Sequence, residues 1–380
     1  MSNSFSRRHI GITERDLPKM LEVVGVKSLD ELIDQTLPQN IRLPKPMDLP
    51  EPMSEQEFLV HIHELAQKNK IADNYIGLGY YGAAVPSVIL RNIFENPVWY
   101  TSYTPYQAEI SQGRLEALLN FQTMTSDITG LALANCSLLD EATAAAEAMT
   151  MMMALRSRDQ QKAGVHTLFV DKNIFPQTLD VIKTRSMPQG IDVIVADYKT
   201  FDFSTPVFGA ILQYPAADGS INDYREFTAK CHENGCKVAV AADLMALVLL
   251  CPPGEWGADI CFGTTQRFGM PLYFGGPSAA YFATLEENKR FIPGRLIGIS
   301  KDMNEKPALR LALQSREQHI KREKALSSIC TAQALPAIMA GFYAMYHGND
   351  GLNEIANTIH AKAVILANEL VAMGCKQLNE

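Results

Sequence analysis

Between residues 167 and 283 short apolar runs alternate with longer amphipathic segments, and this alternation constrains the fold more than any other feature of the sequence. The runs have the length and composition of buried strands and lie at 167–170, 192–196, 209–212, 237–242, 259–262 and 279–283. Strands separated by helices are the signature of a mostly parallel sheet covered on both faces. The sequence therefore predicts an α/β fold in which helices flank the sheet.

The flanks of this region have helical periodicity. Helices are predicted at 113–128, 141–157, 309–322, 331–346 and 352–373, and the first forty residues resemble a helical hairpin that precedes a proline-rich linker. We therefore expect an N-terminal helical extension and linker at 1–53, a large α/β domain at 54–308, and a helical connection with a truncated C-terminal small domain at 309–380. The last expectation depends on a strand-like segment that begins after Gly374.

Composition excludes several classes of function. The net charge of -8 argues against a nucleic-acid or anionic membrane surface, and no apolar run reaches the roughly 20 residues that span a bilayer. The seven cysteines are scattered, which is typical of reduced thiols in a cytoplasmic protein. We find no cluster with metal-ligand spacing, and we predict a cytoplasmic protein that binds no metal, nucleic acid or membrane.

Two positions in the α/β region are candidates for ligand contact. Asp243 follows the run at 237–242, and the carboxyl ends of parallel strands are where such sheets bind ligands. The alternative is that Asp243 only caps the next helix. The segment 137–143 precedes an alanine-rich helix, so Ser137 or Asp140 could cap a helix start that also holds phosphate.

Two tyrosine-rich segments and one charged segment are further candidates. The tyrosine-rich segments contain Tyr80, Tyr81, Tyr103, Tyr106, Gln107 and Glu109. Clustered tyrosines on glycine-rich loops are common at binding faces and equally common in interface packing. The charged segment at 316–324 contains His319, for which a solvated or inter-subunit face is the alternative to catalysis.

A glycine-rich loop at 263–277, Gly-Thr-Thr-Gln-Arg-Phe-Gly-Met-Pro-Leu-Tyr-Phe-Gly-Gly-Pro, follows a predicted strand. Such a loop is suited to hold a reactive group near a ligand. The usual group is absent, because the chain has no lysine between Lys237 and Lys289.

Several long motifs carry a family resemblance. Arg-Arg-His-Ile-Gly at 7–11, Tyr-Thr-Pro-Tyr-Gln at 103–107, Asn-Cys-Ser-Leu-Leu-Asp-Glu at 135–141 and Arg-Glu-Gln-His-Ile-Lys-Arg-Glu-Lys at 316–324 resemble the P component of the glycine cleavage system, glycine decarboxylase. The resemblance covers essentially the whole chain but only the N-terminal half of that enzyme. It implies a type I transferase fold of the kind that binds pyridoxal phosphate (PLP). Because the start at 7–11 is typical of the single-chain form, we expect the chain to be a fragment.

The resemblance also implies where the cofactor binds. The family's Schiff-base lysine belongs to the second half, and the corresponding position is Gln266, or Arg267 if the alignment slips by one. An amide is not nucleophilic and a guanidinium stays protonated, so this chain should bind no PLP covalently. Asp243, Gln266 and Ser137 would then be remnants of a cofactor pocket.

The function implied by the resemblance is that of a non-catalytic half. The complete enzyme would use PLP to decarboxylate glycine and would transfer the aminomethyl group to the lipoyl carrier protein, whereas the isolated chain should be inactive. This half would pack on the lysine-bearing C-terminal half in a dimer or dimer-like assembly. It would lend residues to the active site or substrate channel, for which the candidates are Tyr80, Tyr81, Tyr103, Tyr106, Gln107, Glu109, Arg316, His319 and Thr331.

Other hypotheses remain open from the sequence. Each candidate residue could serve half-to-half packing alone. The whole chain could be an inactive scaffold that binds the lipoyl carrier or the intact enzyme. An independent PLP enzyme is disfavoured because the lysine is missing.

Overall fold

The computed structural model of the chain describes residues 9, 11–101, 105–276, 278–327, 329 and 333–379. The chain divides into two compact units, Met1–Asp73 and Asn74–Glu380. The domain boundaries predicted at 53/54 and 308/309 stay predictions.

The first unit is helical. Its elements are the α-helices Leu17–Val24, Leu29–Thr36 and Glu55–Gln67 and the 3-10 turn Gln39–Ile41. Gly25 ends the first helix with a left-handed φ of 84°, and the Ser28 hydroxyl accepts a hydrogen bond from the backbone N–H of Glu31 at the start of the second. These local signals were readable in the sequence because capping depends on residues only three or four positions apart.

The second unit contains a seven-stranded sheet. Its strands are β1 (Leu133–Ala134), β2 (Thr167–Asp171), β3 (Asp192–Ala196), β4 (Gly209–Tyr214), β5 (Lys237–Ala242), β6 (Ile260–Thr264) and β7 (Ala280–Thr284), in the order β1-β7-β6-β5-β4-β2-β3. The pairs from β3 to β6 are parallel, whereas β7 runs antiparallel to both β6 and β1. All six predicted strands are confirmed, and so is the mostly parallel sheet.

Helices cover both faces of this sheet. Val238 of β5 lies in one apolar core with the helix Gln112–Thr129, and the next residue, Ala239, lies in a second core with the helix Glu141–Ala154. The alternation follows from the pleat, which points successive side chains of a strand to opposite faces. Other helices of the unit are Ser87–Ile89, Arg158–Lys162, Pro176–Ser186, Arg225–Glu233 and Leu244–Leu247, with a π-helical turn at Leu90–Phe94.

The helix predicted at 309–322 is wrong. Residues Pro307–Ala312 form strand β9, which pairs antiparallel with β8 (Leu296–Lys301). The short helix Gln318–Lys321 follows, between the 3-10 turns Gln314–Arg316 and Arg322–Lys324. The side chain of Gln112 also bonds to Leu309, accepting from its N–H at 2.9 Å and donating to its carbonyl at 2.9 Å. These partners are distant in sequence, so pairing between remote segments overrides a local preference for helix.

The C-terminal part is helical, as predicted. The element Ala334–Ala372 contains one non-helical residue, Gly348, with φ 61° and ψ −173°. The two helices predicted at 331–346 and 352–373 therefore meet at a glycine, which adopts this backbone conformation without the Cβ clash that other residues incur.

Candidate functional site

The carboxyl ends of β4, β5 and β6 bring polar side chains together at one edge of the sheet. Gln213 lies near the end of β4, Asp243 directly follows β5, and Thr264 ends β6. The start of the helix Glu141–Ala154 faces the same edge, because the backbone N–H of Thr264 donates to Glu141 Oε2 at 3.2 Å. This edge is where open α/β sheets bind ligands.

Asp243 is engaged on both carboxylate oxygens. Oδ1 accepts from the N–H of Ala246 at 2.9 Å, so Asp243 caps the short helix Leu244–Leu247. Oδ2 lies 3.4 Å from Nη1 of Arg267. The structure thus contains the predicted cap, and it adds a cation that the sequence analysis had not paired with Asp243.

Gly263 lets the glycine-rich loop begin close to the end of β5. A Cβ at this position would lie 2.0 Å from the carbonyl oxygen of Ala242. The same carbonyl accepts a hydrogen bond from the hydroxyl of Tyr281 at 2.6 Å. Only glycine fits such an approach, which brings the residues after Gly263 next to Asp243.

Gln266 stands at the position where the family resemblance implies the lysine. Its side chain is 2% exposed and faces the backbone of Tyr81. Oε1 accepts from the Tyr81 N–H at 3.2 Å, and Nε2 donates to the Tyr81 carbonyl and, at 3.0 Å, to that of Met270. Every hydrogen-bonding group of this amide side chain therefore serves structure.

Arg267 lies over Tyr81 on the other side of the loop. Its guanidinium carbon is 5.2 Å from the centroid of the Tyr81 ring, a cation–π distance. Burial and the nearby Asp243 carboxylate raise the pKa of Tyr81, so the ring keeps its proton and its neutral π-face. Arg267 therefore joins Tyr81 and Asp243.

Glu141 is a buried carboxyl that the sequence analysis did not single out. Burial, together with the nearby Asp243 carboxylate, raises its pKa to about 8 against the lowering effect of the hydrogen bond from Thr264. Glu141 follows the N-cap Asp140, whose side chain accepts from the N–H of Thr143 at 2.7 Å. An acidic residue at the first position of a helix usually faces solvent, so nothing local marked this one as buried.

Ser137 lies deeper in the same segment. It is fully buried with a φ of 144°, and within the described part of the chain no hydrogen bond reaches its Oγ. Its carbonyl lies near Gly294. Its role as a remnant of a phosphate site stays a prediction.

The residues of this edge do not fit a covalently held pyridoxal phosphate. No primary amine is available at 266 or 267, and Arg267 already meets Asp243, the carboxylate that would otherwise face the pyridinium nitrogen. At the helix start considered as a phosphate site, the Asp140 carboxylate already accepts from the N–H of Thr143.

Tyr80 and Tyr81 face different spaces. Tyr80 borders a narrow cleft with Glu141 and Gln177, whereas Tyr81 borders an apolar groove of about 680 Å³ that includes Met245 and Tyr343. Both tyrosines are partly exposed.

A second group of predicted residues meets around a buried ion pair. Arg295 pairs with Glu317, both side chains being at least 95% buried (2% and 5% exposed). Tyr106 accepts a hydrogen bond from Arg295 and lies edge-on to His319, with ring centroids 6.3 Å apart. His319 Nδ1 is 3.4 Å from Glu317 Oε2. The structure thus brings Tyr106 and His319 together, which the sequence analysis predicted only as members of one set.

Arg316 points elsewhere, donating to the carbonyls of Ile292 and, at 2.8 Å, Gly294. Burial lowers its pKa to about 10, so it remains a cation near neutral pH. Gln107 and Glu109 are both exposed; Gln107 precedes the 3-10 turn Ala108–Ile110, and Glu109 lies within it. Tyr103 and Thr331 lie outside the described residues.

The described residues contain neither a metal-binding cluster nor a membrane-spanning helix. No group of three His, Cys, Asp or Glu side chains is placed to hold a metal ion among them. In the same part of the chain no helix has both the length and the apolar character needed to cross a membrane.

Comparisons with known proteins agree with one another. The sequence pattern of the glycine cleavage system P-protein family matches residues 7–380. A "glycine dehydrogenase (decarboxylating)" of Bacteroides thetaiotaomicron is 63% identical over 372 residues, which are 98% of this chain and 39% of that protein. A protein of the same name from Nostoc punctiforme is 58% identical and is covered over 38% of its length. The chain therefore spans well under half the length of these relatives.

Solved structures give the same result. A crystal structure of glycine decarboxylase (P-protein) of the glycine cleavage system, in inhibitor-bound form, superposes with a TM-score of 0.81 at 33% identity, over 93% of this chain and 82% of that one. Glutamate decarboxylase of Lactobacillus brevis superposes with a TM-score of 0.59 at 11% identity, which shows a shared fold alone. The predicted type I fold is confirmed.

Proposed function

The chain belongs to the glycine cleavage system P-protein family, and we propose that it is the half of a glycine dehydrogenase (decarboxylating) that lacks the Schiff-base lysine. Its partner would be a lysine-bearing C-terminal half, supplied by a longer chain or by a separate subunit. The relatives support this proposal because the chain aligns over only 38% to 39% of their length. A solved glycine decarboxylase chain supports it too, since this chain covers 82% of it.

The observation that carries the proposal is the state of Gln266. The residue at the expected lysine position has no nucleophilic nitrogen, and its amide is committed to Tyr81 and Met270. The pyridoxal phosphate would therefore be held covalently by the other half. Bound there, it would supply an electron sink for the electron pair left when glycine loses its carboxyl group as carbon dioxide.

This chain would contribute surface and loops to the shared site. Tyr80, Tyr81, Tyr106 and His319 are the proposed contacts to the catalytic half or to the channel of the lipoyl carrier, which would accept the aminomethyl group. All four are at least partly exposed on the described chain. We extend the proposal to Tyr103, Gln107, Glu109, Arg316 and Thr331, to a dimer-like assembly, and to a cytoplasmic location.

Reconstitution tests the proposal. The chain is mixed with the C-terminal half of the Bacteroides thetaiotaomicron relative, pyridoxal phosphate is added, and borohydride trapping with peptide mapping locates the label. We expect label on the partner alone, and exchange of the glycine carboxyl with bicarbonate in the mixture but in neither half by itself.

Two results would contradict the proposal. A stoichiometric label on a lysine of this chain would make it an independent PLP enzyme. Tight binding of the two halves, or of the lipoyl carrier, without any gain in exchange over the partner alone would favour an inactive scaffold.

A further inference from the structure

The side chain of Gln266 contacts Tyr81 in the way one strand contacts another. It accepts from the Tyr81 N–H and donates to the Tyr81 carbonyl, so both backbone groups of one residue are paired to a single amide. The pair joins residues 185 positions apart in the sequence. Because Gln266 is 2% exposed, water competes little for these bonds.

The segment that contains Tyr81 has little regular structure to hold it. Gly77, Leu78 and Gly79 all have positive φ, and the local pairing is one isolated bridge between Gly77 and Tyr80. Apart from the Tyr81 contacts, a side chain from another element bonds to this segment through Gln177, whose Nε2 donates to the Leu78 carbonyl at 2.8 Å. Its position must therefore be set by such side-chain contacts.

Arg267 adds a contact to the ring of the same tyrosine. Its guanidinium faces the Tyr81 ring at 5.2 Å while Nη1 stays 3.4 Å from Asp243. Asp243 in turn is fixed by its hydrogen bond from Ala246. Backbone and ring of Tyr81 are thus held by two consecutive residues of the glycine-rich loop.

We propose that Gln266 and Arg267 are positioning residues that fix the Tyr80–Tyr81 segment for the catalytic half. The loop keeps its place at the edge of the sheet but holds a neighbouring segment instead of a cofactor. This proposal rests on the proposed function for the identity of the catalytic half. The contact of Gln266 and Arg267 with Tyr81 is independent of the proposed function.

One side chain at position 266 cannot both hold the backbone of Tyr81 and supply a primary amine for a Schiff base. A lysine at 266 could donate to the Tyr81 carbonyl but has no acceptor for the Tyr81 N–H. Gln266→Lys should therefore release Tyr81 even though it restores a primary amine.

Hydrogen exchange on the chain alone measures the contact. Gln266→Leu keeps the approximate size of the side chain and removes both bonds to Tyr81 together with the one to Met270, so hydrogen exchange of the Tyr81 amide should become about 10-fold faster. Gln189→Leu is the matched control, because that side chain also bonds to a remote residue, Thr150, and to the backbone of Arg185. It should leave the Tyr81 amide unchanged. Arg267→Lys keeps the charge opposite Asp243 but not the planar stack and should give an intermediate rate.

Steady-state kinetics of the reconstituted mixture test the consequence. With global melting temperature unchanged, Gln266→Leu should lower kcat for glycine–bicarbonate exchange about 10-fold, while KM for glycine changes little. Arg267→Lys should retain more of kcat than Arg267→Met when both variants are assayed well below their melting temperatures.

The outcomes separate the two proposals. If hydrogen exchange of the Tyr81 amide is unchanged in Gln266→Leu, the proposed contact is overturned. If hydrogen exchange is faster but kcat stays at the wild-type value, the contact has no importance for the reaction. If the wild-type mixture is inactive, the proposed function is overturned, and so is any effect of Gln266 and Arg267 on the reaction. The hydrogen-exchange rates still decide whether the two residues hold Tyr81.

Discussion

Nη1 of Arg267 lies 3.4 Å from Oδ2 of Asp243, so the carboxylate at the end of β5 meets a cation supplied by its own chain. Both side chains are partly exposed, at 21% and 17%. The contribution of this ion pair to the free energy of unfolding should therefore lie between that of a surface pair and that of a buried pair.

Replacing Arg267 should destabilise the chain more than replacing Asp243. We expect Arg267→Met to lower the free energy of unfolding by about 1–2 kcal/mol. Asp243→Asn should cost less, because an amide oxygen still caps the N–H of Ala246. Urea denaturation of both single variants and the double variant measures the coupling, which we expect to be about 1 kcal/mol. Purely additive changes would show that the two side chains do not interact.

Glu141 should make stability depend on pH. Its pKa is raised to about 8 in the folded chain, mainly by burial, from 4.5. Between these values the unfolded chain has lost a proton that the folded chain keeps, so stability falls as pH rises through that window and levels off above it, by at most about 1.4 kcal/mol per pH unit.

Glu141→Gln should remove this slope, because the amide stays neutral and its oxygen can still accept from Thr264. Urea midpoints at several pH values between 5 and 9 provide the measurement, with Glu116→Gln on an exposed helix face as the control. The prediction is wrong if wild type and Glu141→Gln show parallel pH profiles.

Gly263 should not tolerate a methyl group. In Gly263→Ala the new Cβ would lie 2.0 Å from the Ala242 carbonyl oxygen, so β6 must shift or the chain must lose about 3 kcal/mol or more. Gly113→Ala is a matched control in the helix Gln112–Thr129, since nothing lies within 4 Å of its Cβ position. It should be neutral or stabilise by up to about 1 kcal/mol. Equal melting temperatures for the two variants would contradict the close approach.

Asp259 should be a large contributor to stability at the opposite ends of the strands. Its carboxylate is 3% exposed and lies 2.8 Å from both His232 Nε2 and Lys237 Nζ, and it accepts from the Val238 N–H at 2.9 Å. Asp259→Ala leaves these three donors without their acceptor and should lower the free energy of unfolding, measured by urea denaturation, by about 3 kcal/mol or more. Asp192→Ala removes a carboxylate that is 72% exposed, and a change above about 1 kcal/mol there would undermine the comparison.

Local pattern was enough to predict the elements of the sheet. Strands β2 to β7 and the helix Gln112–Thr129 follow from periodicity and turn residues, which act over a few positions. The strand β9 escaped prediction because residues 308–312 are good helix formers, whereas its pairing with β8 and the contact of Leu309 with Gln112 lie outside the segment. The burial of Glu141 could not be predicted either, because it depends on remote residues such as Thr264, 123 positions along the chain.

The sequence by itself determined the family, the α/β fold and the absence of a lysine at position 266, because motifs and residue identities are written in the chain. Only the tertiary structure decided what replaces that lysine. Gln266 and Tyr81 are 185 positions apart, and their contact exists because β6 and the tyrosine segment meet at one edge of the sheet. Such a contact depends on the positions of both segments in space, which no local pattern encodes.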